Sequence, residues 1–270
     1  MLIALTIAGS DPSGGAGVQA DLKTFAAHGV YGMTVLTAVT AQNTVGVTDK
    51  FALPADFVTA QLEAIAGDAE VDVVKTGMLA NSAIIDAVAA AITSLELPSV
   101  IVDPVMTSSS GHPLCDREAI ATLVSEILPR ARVLTPNVPE AETLLGGGFA
   151  IDSVDRMREA ARKLQSIGPA AVVLKGGHLP GDEVVDVLFD GHAMHEFRGA
   201  RISATTTHGT GCTFASAIAS NLALGAPLVE SVRLAKAYVA GAIRNGLAIG
   251  KGHGPLNHFW QLAPKAEAAR

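Results

Sequence analysis

Short apolar runs alternate with longer amphipathic ones along the chain. Residues 2–8 form the first β-like run, and a Gly/Ser/Pro loop, residues 9–17, follows it. Residues 19–28 predict a helix with Leu22, Phe25 and Ala26 on one face. Strands are expected at 34–39, 71–75, 99–102, 132–134 and 171–174. Helices are expected between and after them, at 54–66, 82–94, 116–128, 138–145, 154–167, 211–224 and 228–248. Pro54 and Asp56 open the first of these, with proline in the first turn and an acid beside it. Pro129 is expected to stop the helix that starts at Asp116. Residues 184–189 and 193–197, joined by Asp190 to His192, read as a hairpin.

This alternation predicts an α/β fold: a mostly parallel central sheet with helices on both faces. The hairpin adds antiparallel strands at one edge. No Ser/Gly/Pro linker divides the chain, so residues 1–270 are expected to form one domain. The β-prone stretch 43–51 is expected as a small flap near residues 42–52, and residues 264–270 as a frayed tail. In such sheets ligands sit beyond the carboxyl ends of the strands. The polar loops at 9–17, 41–44, 76–78, 103–110, 135–140 and 175–178 all follow strands, so they are expected to converge on one site.

Composition narrows the classes. About half of the 270 residues are apolar, yet Gly, Asp or Thr breaks each run before the roughly 18 residues of a membrane span. No basic region precedes the first strand, so neither signal peptide nor anchor is expected. The net charge is -7, the basic residues are scattered, and there are one Trp and two Tyr, which argues against nucleic-acid binding. Cys115 and Cys212 match no zinc or disulfide pattern, and a reduced, cytoplasmic setting is the expectation.

Chemistry concentrates in a few loops. Thr205-Thr206-Thr207-His208-Gly209-Thr210-Gly211-Cys212 is a polar, Gly-rich turn entering an apolar helix. The first N–H groups of that helix lack internal partners, and its dipole favours an anion there. A plain helix entry packed with small residues is the alternative. Asn137 and Glu140 open another helix; they form either a capping box or an amide and carboxylate serving Mg²⁺. Asp103 ends a strand before Pro104, where it could serve a metal or phosphates. Lys175 also ends a strand, and its partner is either a phosphate or a neighbouring acid. Gln42, with both donor and acceptor, could pair with an aminopyrimidine edge or satisfy its own loop. Residues 15–20 match G-x-G-x-x-A, but the strand ends well before Gly15 and no acid closes a second strand, which argues against NAD. No P-loop is present.

Taken together, the motifs resemble the hydroxymethylpyrimidine/phosphomethylpyrimidine kinases of the ribokinase superfamily. They are AGSDPSGGAGVQAD at 8–21, AQNT at 41–44, KTGML at 75–79, VDPVM at 102–106, TPNVPE at 135–140, KGGHL at 175–179, THGTGCT at 207–213 and GKGHGP at 250–255. The resemblance covers residues 4–255. It implies a ribokinase-like three-layer sandwich and ATP- and Mg²⁺-dependent phosphorylation of a pyrimidine alcohol, 4-amino-5-hydroxymethyl-2-methylpyrimidine, and then of its monophosphate. By motif position, Gln42, Asp21, Ala16 and Met78 would surround the pyrimidine. Asn137, Lys175, Thr207 and Thr210 would serve ATP, and Glu140 and Asp103 the metal. Gly209, Gly211 and Cys212 would form the catalytic turn, with Cys212 handling the proton. Relatives are often dimers, so a homodimer is an expectation.

One departure stands out. Relatives commonly carry a lysine where this chain has Ser109, so phosphate binding in the second step is expected to be weaker. Pyridoxal kinase is the sibling reading, since it shares the GTGC turn; AQNT favours the pyrimidine. A non-catalytic nucleotide-binding regulator on the same fold is the rival from another class.

Overall fold

Alternate residues of the central strands enter opposite cores, as the period of two requires. The computed structural model describes residues 1–108 and 111–262. In β1 (Ile3–Ser10), Leu5 and Ile7 join one buried apolar cluster and Ala4 joins another. The same alternation runs through β4 (Val73–Thr76), β5 (Val100–Val102) and β7 (Ala171–Leu174), where Val74, Val102 and Leu174 face one side and Val73, Ile101 and Val173 the other. Fully burying each such side chain contributes roughly 1.5–3 kcal/mol.

The helices complete the two outer layers. On the first cluster pack α2 (Ala55–Ala66), α3 (Ser82–Ser94), α4 (Arg117–Thr122), α5 (Val138–Leu144) and α6 (Val154–Gln165), through residues such as Leu62, Ile85, Ala119, Ala141 and Met157. On the second pack α1 (Gly17–Ala27), α7 (Thr210–Ala223) and α8 (Leu228–Arg244), through Phe25, Phe214 and Tyr238. The expected sandwich is therefore present.

The remaining strands are β2 (Tyr31–Gln42), β3 (Val47–Ala52), β6 (Val133–Leu134), β8 (Glu183–Phe189) and β9 (Met194–Ala200). The sheet order is β3-β2-β1-β4-β5-β6-β7-β8-β9. The strands from β2 through β7 are parallel, while β3, β8 and β9 pair antiparallel at the two edges. The chain passes from β1 to β2 on one side and later to β4 on the other. This reversal makes a crevice at the carboxyl ends of β1 and β4, the usual place for a ligand in such sheets.

Four details differ from the sequence reading. First, β2 begins at Tyr31 and runs to Gln42, because Tyr31 to Val39 pair with β1 while Ala38 to Gln42 pair with β3. Second, the flap residues thereby gain a strand in the sheet's edge ribbon. Third, the helix from Asp116 widens into a π turn at Leu123–Ile127, and Pro129 sits inside a 3₁₀ turn, Leu128–Arg130, instead of ending the helix outright. Fourth, α8 stops at Arg244, with Asn245 as its cap. The chain then returns to the site: Gly254 N–H donates to Thr205 O, His208 N–H to Gly254 O, and His253 N–H to Thr44 O. The tail 264–270 and Ser109 lie outside the described residues.

Candidate active site

The entrance to α7 is built by close backbone approach. Gly209 caps the helix with φ +81°, and a Cβ there would stand 1.8 Å from Gly15 O. Only glycine suits that place, in conformation and in space. Thr210 Oγ1 donates to Thr207 O at 2.7 Å and ties the turn together. Thr210 N–H donates to Thr207 O, and the next residues of the first turn, Gly211 and Cys212, line a cavity of about 1370 Å³.

Thirteen residues were expected at the site, and twelve line this cavity: Ala16, Gln42, Met78, Asp103, Asn137, Glu140, Lys175, Thr207, Gly209, Thr210, Gly211 and Cys212. They come from loops after β1, β4, β5, β6 and β7, from the end of β2 and from the start of α7.

Asp21 does not line it. Helix α1 turns this side chain inward, where it is fully buried. Its Oδ2 accepts from Thr6 Oγ1 at 2.6 Å and from Lys75 Nζ at 3.0 Å, and its Oδ1 accepts from Ser216 Oγ at 2.7 Å. It anchors a buried lysine and faces no substrate space.

The polar wall beside the α7 entrance, where a Cβ on Gly211 would stand 3.2 Å from Lys175 Nζ and 3.6 Å from Asp103 Oδ2, is a linked set of charges. Asn137 and Glu140 form a complete capping box: Asn137 N–H donates to Glu140 Oε2 at 2.8 Å, and Glu140 N–H to Asn137 Oδ1 at 2.9 Å. Lys175 Nζ lies 3.1 Å from Asp103 Oδ1 and 4.0 Å from Glu140 Oε2. The capping reading and the acid-partner reading are both real, and they leave groups over. Asp103 Oδ2 is buried with no hydrogen-bond partner among the described residues. Burial pushes the Glu140 carboxyl up to about 7, against the pull of Lys175 and helped by Asp103. Burial works against the Lys175 ammonium too, but Asp103 and Glu140 outweigh it and hold its pKa above the usual value. An orphaned oxygen and a carboxyl short of counter-charge form an oxygen-only set open to a hard cation. Among the described residues no group of three or more His, Cys, Asp and Glu could hold a metal by itself.

Cys212 stands half-buried at the first turn of α7. Burial pushes its thiol up to about 12; Lys75 pulls the other way, and Asp103 and Asp21 add to the rise. The thiol is therefore protonated at neutral pH. The sequence exposes the helix terminus, which favours a thiolate, but not the burial that outweighs it here.

Sequence reasoning missed two further groups. Lys75, quoted only inside a motif, is completely buried beneath the site, and its acidic neighbours keep it charged despite burial. Asp11 and His208 form the second group. His208 Nε2 lies 2.8 Å from Asp11 Oδ2 and 3.3 Å from the Gln42 side-chain amide. Asp11 also accepts from Ser13, Gly15 and Ala16 N–H, so one buried acid shapes the whole first loop. Both lie in the quoted motifs, yet spacing gives no sign that residues so distant in sequence meet.

This arrangement has close counterparts. A family profile described as phosphomethylpyrimidine kinase matches residues 11–257. The chain belongs to that kinase family. It is 52% identical over 255 residues to the thiamine biosynthesis bifunctional protein ThiED of Geobacter sulfurreducens, covering 94% of this chain and 52% of that protein. It is 49% identical over 261 residues to the hydroxymethylpyrimidine/phosphomethylpyrimidine kinase of Synechococcus elongatus, covering 96% and 98% respectively. The chain thus spans about half the length of the first relative and nearly all of the second. Among solved structures, an ADP complex of Bacillus subtilis pyridoxal kinase superposes with a TM-score of 0.89 at 39% identity, covering 97% of this chain and 99% of that one. The ribokinase-like sandwich implied by the motifs is the fold these phosphomethylpyrimidine kinase relatives share with pyridoxal kinase. Among the described residues no helix is long and apolar enough to cross a membrane.

Proposed function

We propose that this protein transfers the γ-phosphoryl group of ATP to the hydroxymethyl group of 4-amino-5-hydroxymethyl-2-methylpyrimidine, and then phosphorylates the monophosphate, in thiamine biosynthesis. The observation that carries this is the shared cavity. Gln42, the α7 terminus with Cys212, and the Asp103–Lys175–Glu140 set packed beside Gly211 all line it. A flat ring held at Gln42 points its alcohol toward the transfer point. Phosphoryl transfer asks little covalent chemistry of a protein and much positioning and charge stabilisation.

Each group has a stated task. The N–H groups of Gly209 to Cys212 stabilise charge on the moving phosphoryl oxygens. Lys175 neutralises phosphate charge. Asp103, through its unpaired oxygen, and Glu140 would hold Mg²⁺, which when bound shields the triphosphate. Cys212 would accept the alcohol's proton as a thiolate, the minor form at neutral pH, after its own proton has passed to water. Met78 and Ala16 flank the ring.

Val39 and Phe51 face each other across β2 and β3, and both are exposed, which supports a homodimer through this edge. Two free thiols accord with a reducing, cytoplasmic setting. Pyridoxal phosphorylation is the second reading, carried by the likeness to the Bacillus pyridoxal kinase structure.

The test is incubation with ATP, Mg²⁺ and the pyrimidine alcohol, with products resolved by mass. The reading expects monophosphate and then diphosphate, with matching ADP. ATP left intact in the presence of the alcohol would overturn it.

A further inference from the structure

Gln42 has two contacts that conflict when its amide nitrogen faces His208. His208 Nε2 lies 2.8 Å from Asp11 Oδ2. Asp11 is a buried carboxylate already accepting from Ser13, Gly15 and Ala16 N–H, so it offers no proton. The imidazole must therefore carry its proton on Nε2. An amide NH₂ placed 3.3 Å from that nitrogen sets donor against donor. The other end of the amide lies 3.2 Å from Thr40 Oγ1. Thr40 has one hydroxyl proton, and Ser10 O accepts it at 2.9 Å. An amide oxygen there would ask one proton to serve two acceptors. The same half-turn of the amide removes the donor–donor clash and turns an N–H toward Thr40 Oγ1, leaving the single Nε2–H of His208 directed at Asp11 Oδ2 at 2.8 Å and shared with the amide oxygen at 3.3 Å.

We infer that Asp11, His208 and Thr40 lock the Gln42 amide with its oxygen at His208 and its NH₂ at Thr40, and that His208 and Thr40 are thereby specificity-determining residues. His208 then donates to both Asp11 and Gln42 Oε1, and Thr40 Oγ1 accepts from Gln42 Nε2. The amide keeps one N–H and one oxygen lone pair for a ligand, in a fixed order. A ring edge with an acceptor on the Thr40 side and a donor on the His208 side matches it. An aminopyrimidine offers that pair as ring nitrogen and amino group. Its 4-oxo analogue offers the reverse, a ring N–H and a carbonyl. Rejection of the reversed edge requires that the amide cannot turn, which is what the two anchors supply. This inference rests on the proposed reaction only for the identity of the ring; the orientation of the amide stands apart from it.

The experiment has two arms. In ligand-free, ¹⁵N-labelled protein, the Gln42 side-chain NH₂ protons are expected to show NOEs to the Thr40 methyl group, and His208 to show the Nε2–H tautomer. NOEs from that NH₂ to the His208 ring, or an Nδ1–H tautomer, overturn the inference whatever the substrate proves to be. In the second arm, kcat/KM is compared for the aminopyrimidine alcohol and its 4-oxo analogue. The wild type is expected to prefer the first by about a hundredfold or more, and His208→Phe and Thr40→Val to reduce that preference to within about threefold. Thr40→Val carries the test if His208→Phe does not fold. An unchanged preference in the folded variants, even with a raised KM for ATP, makes the two residues mere braces of their turns and overturns the inference. Failure of the wild type to phosphorylate either alcohol counts against the proposed reaction alone and leaves the first arm to decide.

Discussion

Lys75 Nζ lies 3.0 Å from Asp21 Oδ2, and neither side chain has any exposed surface. The pair joins β4 to α1 directly below the catalytic turn. Desolvating two ions is costly, and their attraction with the added hydrogen bonds from Thr6 and Ser216 offsets that cost. Removing one partner leaves a buried charge alone. Asp21→Ala is therefore expected to lose about 3–5 kcal/mol of stability. Lys75→Met combined with Asp21→Asn should recover part of the loss. Urea unfolding measures both; a single-variant loss below about 1 kcal/mol would mean that water reaches the pair.

Glu140 gives the pH dependence. Its carboxyl is raised from 4.5 to about 7 by burial. Between those values the folded chain holds a proton that the unfolded chain has shed, so this group withdraws stability as pH rises through the window. The ionised form that a cation needs dominates above about 7. The rate constant kcat/KM for Mg–ATP should rise with pH through this region in the wild type. Glu140→Gln keeps the capping box and should cost less than about 1 kcal/mol of stability. It should lose the inflection and most of the turnover. An unchanged profile in Glu140→Gln would reduce the residue to a cap.

Cys212 separates proton handling from packing. General-base contributions are on the order of 10²–10⁴-fold, and Cys212→Ala is expected to lose that much kcat at saturating substrates. Cys212→Asp should retain more, because a carboxylate accepts a proton without first giving one up. Near-full kcat in Cys212→Ala would assign the thiol to the close packing of the α7 entrance.

The Val39–Phe51 pair tests assembly. Both side chains are exposed on the edge ribbon. Phe51→Glu should convert a dimer to a monomer in light scattering, while thermal stability stays within about 0.5 kcal/mol of the parent, as for a surface change. A wild type that is already monomeric would remove this edge as the interface.

The legibility of the chain follows its physics. The strand at Ala171–Leu174 and the helix at Ser82–Ser94 match the sequence reading to the residue: an apolar run between polar loops marks the strand, and in the structure Asn81 caps the helix by accepting from Ile84 N–H. The ends of β2 were not, since Thr40 and Gln42 lie in a strand only because β3 pairs with them. The cavity's polar wall was readable because its members sit at strand ends, where the topology brings them together. Asp21 misled because its motif position says nothing of which way α1 turns it. His208 and Asp11 went unremarked for the converse reason: their contact spans nearly the whole chain and exists only once Gly15 and Gly209 bring the two loops together.

The central claim is that the cavity selects an aminopyrimidine alcohol and phosphorylates it. Its most direct test is kcat/KM of the wild-type protein for the pyrimidine alcohol and for pyridoxal, measured in one assay with saturating Mg–ATP. The account predicts a preference for the pyrimidine of at least about a hundredfold, since a site built around paired hydrogen bonds rejects a ring that leaves them unmade. Equal efficiencies, or a preference for pyridoxal, would contradict it.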